Sequence, residues 1–177
     1  YKNLLNFLIS KIDNPKEFNF IQLLTEQEIK KIINKLNILH CYQIKPDFFR
    51  SQHNIKWIQI GAAGLEQSLF DDVIKSKVII TNVSGIHADP VSEYVMSCIL
   101  YFSKLFSEFI KFKKSKIWTQ WELAKNTIQI KYKTIGIIGY GSIGKEIAKK
   151  AKAFGMNVIA TRRLQKRIEK KKNVDKL

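Results

Sequence analysis

The residues best placed to do chemistry are Gly139-Tyr140-Gly141-Ser142-Ile143-Gly144, a G-x-G-x-x-G run. The spacing suits the diphosphate of a dinucleotide. Gly139 makes a tight turn, Gly141 lets a phosphate approach the backbone, and Gly144 lets the following helix pack closely on the preceding strand. A helix starting there offers free N–H groups and a partial positive charge to an anion. The same stretch reads as a P-loop, Gly139 through Gly144-Lys145, up to its last position. There Glu146 replaces the Ser or Thr that would hold magnesium, and it would set a like charge beside the phosphates. A nucleotide triphosphatase is therefore disfavoured.

Further along, the chain reads Thr161-Arg162-Arg163, and no acid occurs between Gly155 and Ile168. A fold that prefers NAD places Asp or Glu roughly 20 residues past the glycines, on the ribose 2′-hydroxyl. Two guanidinium groups in that place can instead pair with a 2′-phosphate. This favours NADP over NAD; the alternative is two solvated arginines opening a basic tail. Another small-residue run, Gly61-Ala62-Ala63-Gly64, follows the apolar stretch Ile55–Ile60. It can expose backbone amides to an anion, or serve as a plain turn. None of the three histidines, His40, His53 and His87, stands in a catalytic pattern, and no catalytic residue is assigned. Cys41 and Cys98 are too isolated for a disulfide framework or a zinc site, so no metal is expected and a reducing cytoplasm is the simplest location.

The elements that must position these residues alternate between strand and helix. Leu4–Ile9 reads as a strand. Thr25 and Glu28 form a capping-box signal before a helix carrying Ile29, Ile32, Ile33 and Leu36. Strands are expected at Ile38–Tyr42, Ile55–Ile60 and Val78–Thr81, with helices at Pro46–Gln52 and Gln67–Lys75. Asp89-Pro90 reads as an N-cap followed by Pro at the first helical position, opening a helix to about Lys113. The stretch 115–132 is poorly patterned, with Trp118 and Trp121 as anchors. Ile135, Ile137 and Ile138 make a strand before the glycine run. The next helix places Ile143, Ile147, Ala151 and Phe154 on one face, Gly155 caps it, and Asn157–Thr161 is the following strand. The whole is α/β with parallel sheets. A hinge near Gly85–Asp89 divides it into residues 1–88 and 89–177.

Composition narrows the classes. The 177 residues are 45% hydrophobic and 11% aromatic, which excludes disorder for most of the chain. The longest apolar run, from Val91 to Ile110, is broken by Glu93, Lys104 and Glu108, so no membrane span is expected. The formal charge is +16, yet 27 of the 31 cations are Lys. Arg is the better reader of phosphate, and the basic end lacks aromatics to stack on bases. Nucleic-acid binding is therefore a weak alternative.

Three blocks resemble the D-isomer-specific 2-hydroxyacid dehydrogenases, in that family's order and spacing: Trp57–Glu66, Val78–Val95 and Thr134–Arg163. The resemblance implies a flavodoxin-like substrate domain, followed by the first βαβ unit of a Rossmann nucleotide-binding domain. It implies that Ala63 and Gly64 hold a substrate carboxylate through backbone N–H groups. It implies that Val95 lies beside the nicotinamide, that Ser142 and Ile143 face the pyrophosphate, and that Arg162 stands where NAD-preferring members carry Asp. The activity implied is hydride transfer between NAD(P)H and a 2-keto or 2-hydroxy acid, in a homodimer. Tyr132 departs from the family, which has Gly before the Lys that opens the nucleotide strand. The family's catalytic Arg, Glu and His fall beyond this stretch, so no turnover is expected from these residues alone. An open sheet edge, with Ile137 and Ile159 only partly covered, predicts a mobile or aggregation-prone second half. A non-catalytic cofactor-binding scaffold is the alternative from another class.

Overall fold

The computed structural model describes residues 2–50, 54–116, 118, 120–163 and 172–177. They form two compact units, meeting in sequence between Asn82 and Val83. The turn that precedes the long helix thus goes with the second unit. No described helix is long and apolar enough to cross a membrane.

The first unit opens with α1 (Lys2–Ile9), α2 (Glu26–Ile32) and β1 (Ile38–Cys41), followed by α3 (Pro46–Phe49), β2 (Trp57–Ile60), α4 (Asp71–Ile74) and β3 (Ile79–Asn82). The three strands pair in parallel in the order β1-β2-β3, with Ile38 opposite Trp57 and Trp57 opposite Ile79. Ile33, Leu39, Ile44, Phe48, Ile58 and Ile60 build the core on one side of this sheet. Thr25 caps α2 as expected: its hydroxyl accepts the Glu28 amide at 3.3 Å, while the Glu28 carboxylate accepts the Thr25 amide at 3.0 Å. The Leu24 amide, which donates to the same carboxylate at 2.9 Å, and the Thr25 bonds hold the Glu28 carboxyl below the usual carboxylate range.

Some expectations fail in this unit. Residues 4–9 are helical, not extended, and the Ser10 amide closes the last turn on the Asn6 carbonyl at 3.0 Å. A six-residue apolar run carries no period that separates the two states. The helix expected at Gln67–Lys75 shrinks to α4. Ser68 is buried in a turn on Leu65, and its hydroxyl accepts the Ile44 amide at 3.1 Å. Position 67 onward therefore serves a tertiary bond rather than a helix. The helix at Pro46 ends at Phe49, short of the expected Gln52, with Arg50 as its C-cap, and 51–53, including His53, lie outside the described residues.

The second unit contains α5 (Ala88–Ser103), α6 (Phe106–Ser115), α7 (Gln120–Asn126), β4 (Thr134–Ile138), α8 (Ser142–Ala153) and β5 (Asn157–Thr161). β4 and β5 are parallel, with Ile138 opposite Thr161. Their inner face, with Ile137, Val158 and Ala160, packs on α8 and α5 through Ala148, Ala151 and Met96. Ile137 is buried, contrary to expectation, whereas Ile159 stays partly exposed. Outside the pair, Lys176 bridges Ile159, and Val174 and Leu177 pack against the core. The Asp175 carboxylate accepts the Val158 amide at 2.6 Å. The Lys152 ammonium, hydrogen-bonded to it, and secondly this contact keep the Asp175 carboxyl below its usual range.

The expected helix from Pro90 to Lys113 is two helices. Leu105 takes a left-handed conformation (φ 55°) between α5 and α6. The returning chain caps the break: the Ile128 amide donates to the Ser103 carbonyl at 2.7 Å, and the Lys104 ammonium donates to the Ile128 carbonyl at 3.0 Å. The start also moves. His87 is the N-cap residue, and Asp89 lies inside the first turn. The Ala88 amide already bonds the Gly85 carbonyl at 3.0 Å, so Pro90 is the third helical residue, where it still lacks no needed donor. Trp118 and Trp121 are not buried anchors; they are 85% and 75% exposed. Of the expected α8 face, Ala151 is buried and Ile147 packs on the core, whereas Ile143 and Phe154 stay exposed; Gly144 and Ala148 complete the buried stripe, because small residues let the helix approach the sheet.

Tyr132 keeps the turn before β4 in a left-handed conformation, φ 66°. Its amide donates to the Gly155 carbonyl at 2.8 Å, and its carbonyl accepts the Asn157 side-chain amide at 3.1 Å, so the surroundings impose that shape. A left-handed L-residue costs roughly 1–2 kcal/mol, and glycine's extra unfolded freedom offsets roughly 0.5–1 kcal/mol. Tyr132→Gly is expected to raise stability by about 0.5 kcal/mol, while Tyr132→Ala brings no gain. Urea midpoints check this, and a lower midpoint for the glycine variant would refute it.

Candidate functional site

Three glycines of the loop have three different reasons to be there. Gly139 has φ +104°, a conformation L side chains rarely adopt. Gly144 is packed: a Cβ there would overlap the Gly139 carbonyl oxygen and stand 3.1 Å from Ile137 Cγ2. Gly141 has neither reason. Its backbone is extended (φ −92°, ψ −156°), open to any residue, and an added Cβ meets nothing within 4 Å. Among the described residues, nothing fills the space where a Gly141 side chain would start.

The loop is tied down from the end of β5. The Thr161 carbonyl accepts both the Gly139 amide at 3.1 Å and the Tyr140 amide at 2.8 Å. Those two donors are committed to the turn. The next ones are not: Ser142, Ile143 and Gly144 are the first three residues of α8 and have no intrahelical acceptor. The amides that can meet an anion are thus those at the helix start. Tyr140 itself turns inward, buried, with its hydroxyl donating to the Lys172 carbonyl at 2.7 Å. Burial raises its hydroxyl's pKa. Arg162 and Arg163 follow Thr161 directly and are exposed. Gly85 lies close by, since a Cβ there would sit 3.8 Å from the Ser142 hydroxyl. The turn before α5 therefore borders the loop.

α5 and α8 are joined by a polar cluster. Lys150 donates to the Asp89 carboxylate at 3.0 Å and to the fully buried Ser92 hydroxyl at 2.8 Å, and lies 3.6 Å from the Glu146 carboxylate. The Lys150 hydrogen bond and charge hold the Asp89 carboxyl below its ordinary range, and Asp89 raises Lys150 in turn. Val95 is half-buried one turn beyond Ser92.

In the first unit, Gly61-Ala62-Ala63-Gly64 follows β2 at the carboxyl end of the sheet, where parallel α/β sheets place their ligands. The Gly61 amide bonds the Cys41 carbonyl at 2.8 Å, and the Asn82 side chain donates to the Ala63 carbonyl at 2.7 Å. The amides of Ala62, Ala63 and Gly64 have no acceptor among the described residues. His40 stands against this loop, its Nε2 3.1 Å from where a Gly61 Cβ would be. Cys41 is a free thiol that burial pushes up to about 11. No cluster of metal-ligating side chains occurs among the described residues.

Residues 96–177 match the model of the D-isomer specific 2-hydroxyacid dehydrogenase, NAD binding domain. A hydroxypyruvate reductase of Thermotoga maritima is 31% identical over 143 residues, covering 77% of this chain and 45% of the relative. The chain belongs to the D-isomer-specific 2-hydroxyacid dehydrogenase family. A glyoxylate reductase of Thermococcus litoralis is 26% identical over 139 residues, covering 76% of the chain and 42% of the relative. Among solved structures, a D-isomer specific 2-hydroxyacid dehydrogenase family protein of Aeromonas salmonicida superposes with a TM-score of 0.73 at 23% identity. It covers 99% of this chain and 53% of its own, which supports the shared fold. The chain spans less than half the length of the two curated relatives.

In this member of the family, the glycine run and the end of β5 are legible in the residue types, but the bonds that join them are not. The double bond to Thr161 is made by backbone, so no residue type announces it. Lys150 and Asp89 are 61 positions apart, and nothing local links them. His87 is exposed at the N-cap of α5 without a capping side-chain bond. A separate apolar groove of about 840 Å³ lies along α6 and α7, lined by Phe109, Phe112, Trp118 and Leu123, and includes none of the loop residues.

Proposed function

We propose that this chain provides the substrate-carboxylate loop and the coenzyme-binding βαβ unit of an NADP-preferring D-2-hydroxyacid dehydrogenase. One observation carries the reading: among the described residues nothing packs over Gly141 and its backbone needs no left-handed φ, yet it stands beside unpaired helix-start amides. A diphosphate fits that pattern, because it needs both the amides and an approach no Cβ obstructs.

The roles follow. Ser142 and Ile143 donate backbone N–H groups to the pyrophosphate. Gly139, Tyr140 and Thr161 hold the turn, and Gly144 lets α8 sit close enough to aim its amides. Arg162, with Arg163 beside it, pairs with a 2′-phosphate, and no acid competes at the end of β5. Val95 forms part of the wall beside the nicotinamide. Ala63 and Gly64 hold the carboxylate of a 2-keto or 2-hydroxy acid by backbone amides. When bound, the nicotinamide supplies hydride exchange with carbon 2 of that acid. These residues orient the two reactants.

Titration of the 177-residue chain with NADPH and NADH, read by nucleotide fluorescence, tests the reading. NADPH is expected to bind more tightly. Arg162→Asp removes a charge-assisted pair worth roughly 1.5–3 kcal/mol, so NADPH affinity falls by about 10- to 100-fold and NADH becomes the better ligand. Equal affinities in both proteins would remove the assignment of Arg162. No binding of either nucleotide would remove the site.

A further inference from the structure

We infer that Lys150 is a positioning residue, which sets the rotation of α5 and thereby the place of Val95 at the nicotinamide end of the coenzyme site. The inference rests on the reading of Val95 given above and goes beyond it. α5 and α8 are the two helices that bring binding groups to the nucleotide, α8 through its first amides and α5 through Val95. Their contact is mostly apolar, through Met96, Ala148 and Ala151, and such contacts resist separation better than rotation. The directional contacts sit at Lys150.

From α8, the Lys150 ammonium reaches two residues of the first turn of α5, Asp89 at 3.0 Å and Ser92 at 2.8 Å. Ser92 has no exposure, and its hydroxyl donates to the Asp89 carbonyl at 2.8 Å, so its lone pairs are turned to Lys150. Glu146, one turn before Lys150 on α8, supports the ammonium from the other side at 3.6 Å. Two bonds at successive points on the α5 surface fix its angle about the axis, as one bond would not. Ser92 and Val95 are three residues apart, so the angle that seats Ser92 on Lys150 also sets where Val95 points. Lys150 lies two turns from the free amides of α8. Its loss therefore leaves the diphosphate grip and the Arg162 contact in place.

That separation gives a test that simple destabilisation cannot mimic. NADPH is compared with 2′-phospho-ADP-ribose, which keeps the phosphates and adenosine and lacks the nicotinamide. The unaltered chain is expected to bind NADPH more tightly. Lys150→Met is expected to weaken NADPH by about 10-fold, the scale of a lost charged hydrogen bond, and to leave 2′-phospho-ADP-ribose unchanged. Lys150→Arg restores most of the loss. Asp89→Asn, at an exposed side chain, repeats the pattern more weakly and guards against misfolding of the Met variant. If Lys150→Met and Asp89→Asn bind NADPH as the unaltered chain does, or weaken both ligands equally, the positioning role is overturned. Equal affinity of the unaltered chain for both ligands overturns it too. Absence of any nucleotide binding would instead refute the proposed function.

Discussion

Gly141→Val is expected to abolish coenzyme binding while leaving the fold standing. The backbone at 141 is extended, and its carbonyl, which accepts the Lys145 amide at 3.0 Å, can keep that bond whatever the side chain. No atom of the described residues beyond its chain neighbours lies within 4 Å of the new Cβ. The cost to stability is that of a poorer N-cap, about 1 kcal/mol. The cost to binding is larger, because the branched side chain occupies the approach of the diphosphate to the Ser142 and Ile143 amides. Losing two charge-assisted bonds, at roughly 1.5–3 kcal/mol each, lowers affinity by at least about 100-fold. Gly141→Ser separates the two effects. Serine caps as well as glycine or better, so the urea midpoint holds or rises while NADPH affinity still falls. Either variant binding NADPH like the unaltered chain would show that nothing approaches Gly141.

Gly144→Val is expected to do the opposite, unfolding the second unit whether or not a nucleotide is present. The obstacle is backbone: the Gly139 carbonyl lies where the Cβ would go, and Ile137 Cγ2 is 3.1 Å away. A carbonyl within a turn held by Thr161 cannot swing aside, so α8 must lift from β4. Overpacking of this kind costs roughly 3 kcal/mol or more, and Ala148 and Ala151 lose their contact as well. Hydrogen exchange read by segment checks it. Amides of β4 and β5 lose protection, whereas those of β1, β2 and β3, in the other unit, keep theirs. Unchanged protection in β4 would mean that the close approach at Gly144 does not bear on stability.

The pair of glycines also shows what was legible in the sequence. Gly139, Gly141 and Gly144 act through their neighbours in the chain, so their spacing announces a loop between strand and helix. Thr25 and Glu28 are legible for the same reason, since a capping box closes on itself. The break at Leu105 is not. No glycine or proline marks it, and the bonds that stabilise it come from Ile128, 25 positions after Ser103. The inner face of α8 is legible only in part, at Ile147 and Ala151, because hydrophobicity ranks Ile143 above Gly144 and Ala148, while close approach to the sheet favours what is small. The residues proposed for Lys150 lay beyond reach for a related reason. A lysine in a run with Lys149 and Lys152 reads as solvated until its distant partners are seen.

The Thr161 carbonyl has a consequence for how such proteins diversify. It anchors the phosphate turn with an atom that every amino acid owns. Positions 161 to 163 can therefore exchange side chains without loosening the anchor. On the proposed assignment, coenzyme choice becomes a local edit at the tip of one strand, insulated from the loop that would grip the part common to both dinucleotides. A lineage could cross from one coenzyme to the other in single steps, each intermediate still folded and still able to bind.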